Sequence, residues 1–352
     1  MPAVYPPILQ EEEMTRGVYS KLFVIGLALS ACAERAAADP VADFYKGQRV
    51  TITVGSAAGG DYDVWARMMA RYMSKHLPGN PSFVVQNMPG AGGIRATNSM
   101  FNLAPKDGTA LAMTSRNATF KALAGDKAVQ FDPVKLNWIG SPETTSRVCI
   151  VSDTSPVQRA SEMFEKEVIM AGAGEGSALS TVPPMLNRLL GAKMKLVEGY
   201  QSSIDAKLAM DRGEVHGLCQ SLSQIRRSYG PDIASGRLRY LLSMEEDPIA
   251  GVNAPSIYNF AKSDQHRQVF ALFSTGVRMG RPMFAPPGLP VLRVAALRDA
   301  FTNAVRDPEL NAEAERQGLV VTLVPGAKIA EMVDQLMKTA PEIRDLAGNI
   351  GD

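Results

Sequence analysis

Apolar and polar positions along this chain follow two rhythms: short continuous apolar runs, and longer stretches where apolar residues recur every three or four. Residues 50–54 are β-branched throughout and lie between Arg49 and a glycine turn, the pattern of a buried parallel strand. From Asp61 onward Val64, Trp65, Met68, Met69, Tyr72 and Met73 share one helical face, while Arg67, Arg71 and Lys75 take the other. Asp61 stands where the N-cap of that helix is expected, and Pro78-Gly79 stops it. The unit then repeats: a strand over 82–86, a glycine turn, a helix pattern over 94–103, a Pro105-Lys106-Asp107-Gly108 turn and a strand over 109–113. Such strand–helix units in succession predict a doubly wound parallel α/β sheet.

Residues 136–150 mix short apolar pieces with turn residues, and a first crossing between two lobes is expected there. A strand at 168–171 then enters another glycine turn at 172–177, with helix to Leu190. A strand over 193–197 leads to a polar turn at 199–203 and a helix over 204–210, and 239–243 reads as the last strand of this region. Residues 270–283 carry the chain back. A helix over 289–306, a second over 308–317 ended by Gly318, a strand over 320–324 and a helix over 328–339 complete it. This C-terminal part is expected to pack on the first lobe. The lobes are then 39–145 with 275–352 (a discontinuous domain) and 146–274, with a ligand cleft between them and the two crossings as its hinge.

Composition agrees with a folded protein of two ordinary domains: 352 residues, 45% hydrophobic and 21% charged. A net charge of +1 gives no electrostatic case for nucleic acid or a membrane surface. At the N-terminus Arg16 and Lys21 precede an apolar run over 22–31, which suits a signal peptide and is too short to span a bilayer. Glu11, Glu12 and Glu13 do not suit a signal start, so translation is expected to begin at Met14, with residues 1–13 as extra upstream sequence. Two exits are open: a lipobox-like Leu29-Ser30-Ala31-Cys32 with Cys32 acylated, or cleavage after Ala38, which the mature-looking start over 39–44 favours. Either leaves Cys149 and Cys219 as the unmodified thiols of an exported protein, where a disulfide is expected; two buried free thiols are the alternative.

A strand, a glycine turn and a helix start together aim backbone N–H groups at a small anion. That arrangement occurs at Ser56, Ala57, Ala58, Gly59 and Gly60, and again at Gly90, Ala91, Gly92 and Gly93. These turns are expected to form half of a cleft that holds a small carboxylate without transforming it. Catalytic signatures fail on inspection. Asp61 stands where a P-loop requires Lys, and neither Gly90-x-Gly92 nor Gly172-x-Gly174 has the third glycine of a dinucleotide fingerprint. No G-x-S-x-G, HExxH or CxxC occurs. His76, His216 and His266 read as surface or satisfied structural histidines. No metal, cofactor or enzymatic activity is expected, the other reading being an exported hydrolase or isomerase with Glu175 or Asp205 as base.

The series G-S-A-A-G-G-D-Y-D-x-x-A-R, V-V-Q-N-x-P-G-A-G-G and A-P-x-D-G-T, with the segments at 283–290 and 306–309, resembles the substrate-binding proteins of tripartite tricarboxylate transporters, the Bug family. The likeness runs over roughly 44–337, and N-x-P-G-A-G-G is its specific part. It implies a type 2-like periplasmic binding protein, α/β, each lobe a mainly parallel doubly wound sheet with flanking helices. It implies a monomer that delivers a carboxylate to membrane components of the transporter, or else its ligand state to a sensor kinase. In that family first-domain loops hold the carboxylate; here these are the two turns above, with Ser115, Arg116 and Asn117 at the matching third strand end. The second lobe would supply Glu175, Ser177, Ala178, Tyr200 and Ser203. Arg116 and Glu175 depart from the family's pattern. Arg116 is expected to meet a second ligand carboxylate or to pair with Glu175 across the cleft, a solvated surface position being the other reading for each.

Overall fold

The apolar runs assemble into two sheets. In the computed structural model, which describes residues 1–4, 39–173, 178–200 and 203–348, strands β1 (Arg49–Val54), β2 (Ser82–Asn87), β3 (Ala110–Met113), β4 (Asn137–Ser141), β10 (Met283–Ala285) and β11 (Val324–Pro325) form the first, in the order β11-β4-β10-β3-β1-β2. Strands β5 (Arg147–Ser152), β6 (Val168–Ala171), β7 (Met194–Val197), β8 (Gly217–Ser221) and β9 (Leu238–Ser243) form the second, in the order β7-β6-β8-β5-β9. The chain leaves the first sheet after Ser141 and re-enters it at Met283. The expected signal peptide, Cys32, Glu175 and Ser177 lie outside the described residues.

The two-lobed α/β arrangement matches expectation, but both sheets are mixed. β1 pairs in parallel with β2 and β3, whereas β10 runs antiparallel to β3 and β4. In the second sheet β6 is parallel to β7 and β8, while β5 is antiparallel to β8 and β9. The cause is the crossing: β5 and β10 are the strands through which the chain enters a sheet from the other lobe, and neither arrives through the helical crossover that makes neighbours parallel.

Alternate residues of each strand serve opposite faces. Val50, Ile52 and Val54 join Trp65, Met69 and Met73 of the helix Asp61–His76 and Phe301 of the helix Val291–Arg306. Ala110, Ala112 and Trp138 face the other way, toward Met100, Ile329 and Val333. The second sheet is covered likewise, with Val151, Met185, Leu186 and Phe270 on one side and Ile150, Ile225 and Tyr229 on the other. Cys149 and Cys219 lie opposite each other on β5 and β8 and form the expected disulfide.

The sequence reading did not name β4, β5, β8 or the helices Asn117–Leu123, Leu222–Ala234 and Asp264–Arg278, and three further elements differ from it. Asp61 is the first residue of its helix, whose N-cap is Gly60 without a side-chain cap, because its carboxylate is turned to arginines instead. The strand expected over 320–324 shrinks to Val324–Pro325, and the helix Gly326–Met337 starts at once behind it. The final helix Pro341–Gly348 buries Ile343 in the core of the second sheet, so the C-terminal segment touches both lobes.

Candidate functional site

The parallel strands β1, β2 and β3 end level, with Val54 beside Asn87 on one side and Met113 on the other. The turns that follow them therefore meet at one edge, outside the carboxyl ends of the strands, where open α/β sheets bind ligands. They meet closely. A Cβ on Gly55 would stand 3.1 Å from the Gly93 Cα and 3.1 Å from the Thr114 Cβ, and one on Gly93 would stand 3.1 Å from the Ser115 nitrogen. A side chain at either place would be tight against its neighbours, and Gly93 adds a positive φ of 95°, so glycine suits both positions.

The second turn has a further constraint. Gly90, Ala91, Gly92 and Gly93 have φ of 142°, 46°, 60° and 95°, so the run is left-handed and its one side-chain-bearing residue is Ala91. It closes on itself through the Gly93 amide, which donates to the Gly90 carbonyl at 3.0 Å. Among the described residues, the exposed amides of Ala57, Ala58, Ala91 and Gly92 have no partner within the protein. The Ser56 hydroxyl is shut away from solvent and also lacks one. The Gly59 amide does not share this freedom: it donates to Asp63 Oδ2 at 2.9 Å.

Asp63 ties the turns together. Its buried carboxylate also accepts from Arg67 Nε at 2.9 Å and from Asn87 Nδ2 at 2.9 Å, and the same Asn87 amide donates to the Ser56 carbonyl at 3.0 Å. The Arg67 bond above all, then the Gly59 and Asn87 N–H groups, outweigh burial and hold the Asp63 carboxyl down to about 2. A lowered folded-state pKa means stability that is fully present above the unfolded value near 3.8 and lost as pH falls through the folded one. Asp63→Asn is thus expected to cost about 2 kcal/mol at neutral pH. In urea unfolding the gap to the wild type should close as the buffer is taken from about pH 4 to about pH 2; a gap that does not change with pH would refute the assignment.

Beside the turns lies a group of buried charges at the crossing between the lobes. Arg281, just before β10, reaches Asp61 Oδ2 at 2.5 Å and pairs with Glu143 Oε1. The other oxygen of Glu143 accepts from the Trp65 indole at 2.8 Å. Asp61 also takes Arg227, from the helix Leu222–Ala234 of the second lobe, at 3.1 Å. Arg116 is buried; its guanidinium donates to the Gly280 carbonyl at 3.0 Å and its backbone N–H to the Tyr62 hydroxyl at 3.3 Å. Arg281 stacks over the Tyr62 ring at 5.6 Å. Arg147, the first residue of β5, is buried as well, and burial followed by repulsion from Arg116 lowers it to about 9.

The structure therefore brings together, in the first lobe, both glycine turns, Ser115 and Arg116, with Asn117 opening the helix Asn117–Leu123. Glu175 falls outside the described residues, so its expected pairing with Arg116 does too. Ala178 and Ser203 open the helices Ala178–Leu190 and Ser203–Asp211. Tyr200 packs on the apolar cluster of Ile150 and Tyr229, and burial raises its hydroxyl. The histidines are structural: His76 bonds Asp307 at 3.1 Å, and His216 Nδ1 accepts from the Ile169 amide at 3.0 Å. Sequence reasoning missed Arg147, Arg281 and Glu143. The available signal was a lone charge at the start of an apolar strand, in SRVCIV, and another between glycine and proline, in MGRPMF.

A family model described as "Tripartite tricarboxylate transporter family receptor" matches residues 65–346. The UPF0065 protein in the gbd 5′ region of Cupriavidus necator is 26% identical over 295 residues, 80% of this chain and 83% of that protein. A solute-binding protein from Polaromonas superposes with a TM-score of 0.65 at 18% identity, covering 86% of this chain and 98% of the other. MatC from Rhodopseudomonas palustris, solved with bound malate, superposes with a TM-score of 0.61 at 20% identity, covering 85% and 99%. At these identities the two structures speak for the fold.

Proposed function

Because the chain belongs to the tripartite tricarboxylate transporter receptor family, we propose that it is a periplasmic monomer that captures a small carboxylate between two lobes and offers it to the membrane components of such a transporter. The lobes are 39–145 with 275–352, and 146–274. Ligand binding closes them, and the closed form is what the membrane partner reads.

One observation carries the reading: among the described residues, four amides of exposed residues, two from each glycine turn, have no partner within the protein, on turns that meet at one edge of the first sheet. Such amides favour an anion without supplying a base or nucleophile, which supports capture without turnover. MatC, of the same fold, holds malate. On this reading Ser56, Ala57, Ala58, Gly60, Gly90, Ala91, Gly92, Gly93 and Ser115 face the carboxylate, and Gly59 serves by fixing its turn through Asp63. The loops carrying Glu175, Ser177, Ala178, Tyr200 and Ser203 close from the other side.

A thermal-shift screen against a panel of small carboxylates tests this. At least one should raise the melting temperature, since a ligand present at a hundred times its Kd adds about 2.7 kcal/mol. Ala58→Asp places a negative charge beside the free amides at an exposed position. It should weaken binding roughly tenfold or more, about 1.4 kcal/mol, while the empty protein melts as before. Stabilisation by neutral solutes alone would overturn the reading.

A further inference from the structure

Arg147 is 5% exposed, and its Nε is shut off from solvent without a hydrogen-bond partner. Among the described residues no carboxylate or carbonyl pairs with its side chain. A buried cation in that state is unfavourable unless something compensates it. The charges around it do not. Arg281 and Arg227 are matched by Asp61 and Glu143, two cations against two anions. Arg116 has one neutral partner for its guanidinium, the Gly280 carbonyl at 3.0 Å, and is 9% exposed. Among the described residues, two guanidinium groups without a carboxylate partner thus remain, and repulsion from Arg116 adds to burial in lowering Arg147. One follows β3 in the first lobe and the other begins β5 in the second, so each stands on its own side of the crossing between the lobes.

We propose that Arg147 and Arg116 are direct ligand contacts that set the charge of the captured solute: the cleft is built for a small dianion, one negative charge for each guanidinium. The inference rests on the carboxylate reading above for its chemical class, a short dicarboxylate. Arg116 lies on the lobe that carries the glycine turns, and Arg147 is supplied by the partner lobe. Closure therefore places the second negative charge against a cation that has no other use. A monoanion would leave one arginine buried and unpaired in the closed state. That penalty makes the preference a rejection of the wrong charge as well as an attraction to the right one.

Calorimetry and thermal melts of the whole mature chain test this with dicarboxylates of graded length, their half-amides, and sulfate. The wild type should prefer a diacid to its half-amide by roughly 100-fold. In Arg147→Met that preference should fall to about threefold, with the half-amide bound at least as well as before. The empty variant should melt no lower, because an unpaired buried cation has been replaced by an apolar side chain of similar length. Arg116→Met should lose diacid affinity in the same sense. The proposal is overturned if half-amides bind the wild type as tightly as diacids, or if Arg147→Met keeps the preference. It is also overturned if that variant melts lower and loses both ligands alike, the outcome of a structural role. Should no carboxylate bind while sulfate stabilises the wild type and not Arg147→Met, the carboxylate reading fails and the dianion site stands; if sulfate is also inert, both fail.

Discussion

Replacing Glu143 with Ala should destabilise the empty protein by about 3–5 kcal/mol, the range for removing one partner of a buried ion pair. Both oxygens of this carboxylate are committed: Oε2 to the Trp65 indole at 2.8 Å, and Oε1 to Arg281. Its removal leaves a buried guanidinium short of a partner and a buried N–H with none. The unmet groups, more than the lost attraction, set the size of the effect. Glu143→Gln should lose less, because an amide oxygen still accepts from the indole while the charge is gone. The double variant Glu143→Ala with Arg281→Met should recover much of the loss, since it removes the stranded cation. Urea midpoints of the three variants decide it. A Glu143→Ala protein within about 1 kcal/mol of the wild type, or a double variant worse than the sum of its parts, would show that the pair is not buried as described.

The disulfide is the second large effect. Cys149 and Cys219 are 70 residues apart in sequence, and cross-linking a loop of that length removes unfolded-chain entropy equivalent to about 4 kcal/mol. The loop contains β6, β7 and most of the second lobe. Substituting both cysteines with Ala, which keeps the buried site apolar, should therefore lower the melting of that lobe first, with the first lobe following through the crossings. Melting with and without reductant, alongside thiol titration of the denatured chain, measures it. A protein whose thiols titrate as free after reduction and whose melting does not move would contradict the prediction.

Much of the candidate site was legible because it is local. A β-branched run, a glycine turn and a helical stripe lie within some two dozen residues of one another, and the turn geometry follows from residue type. Gly90-Ala91-Gly92-Gly93 needs left-handed backbone at each position, and only a glycine-rich run supplies it at low cost. Asp63 stands in the first turn of its helix, but its part as the tie between the turns was not legible, since Asn87 lies 24 residues away. Arg147 lies inside the stretch over 136–150 read as a crossing and was not singled out. Its isolation depends on every neighbour that fails to pair with it, and a sequence does not display an absence of neighbours.

Local spacing determined the strand–turn–helix units around the glycine turns and the division into two α/β lobes, because hydrophobic period and backbone freedom act over a few residues. Tertiary structure decided the direction of β5 and β10, the docking of Ile343 on the second lobe, and which charges cancel. Asp61 meets Arg281 across 220 residues and Arg227 across 166, distances over which no pattern in the chain carries information. Burial then turns those meetings into chemistry: a paired charge becomes structure, and an unpaired one is left to bind an anion.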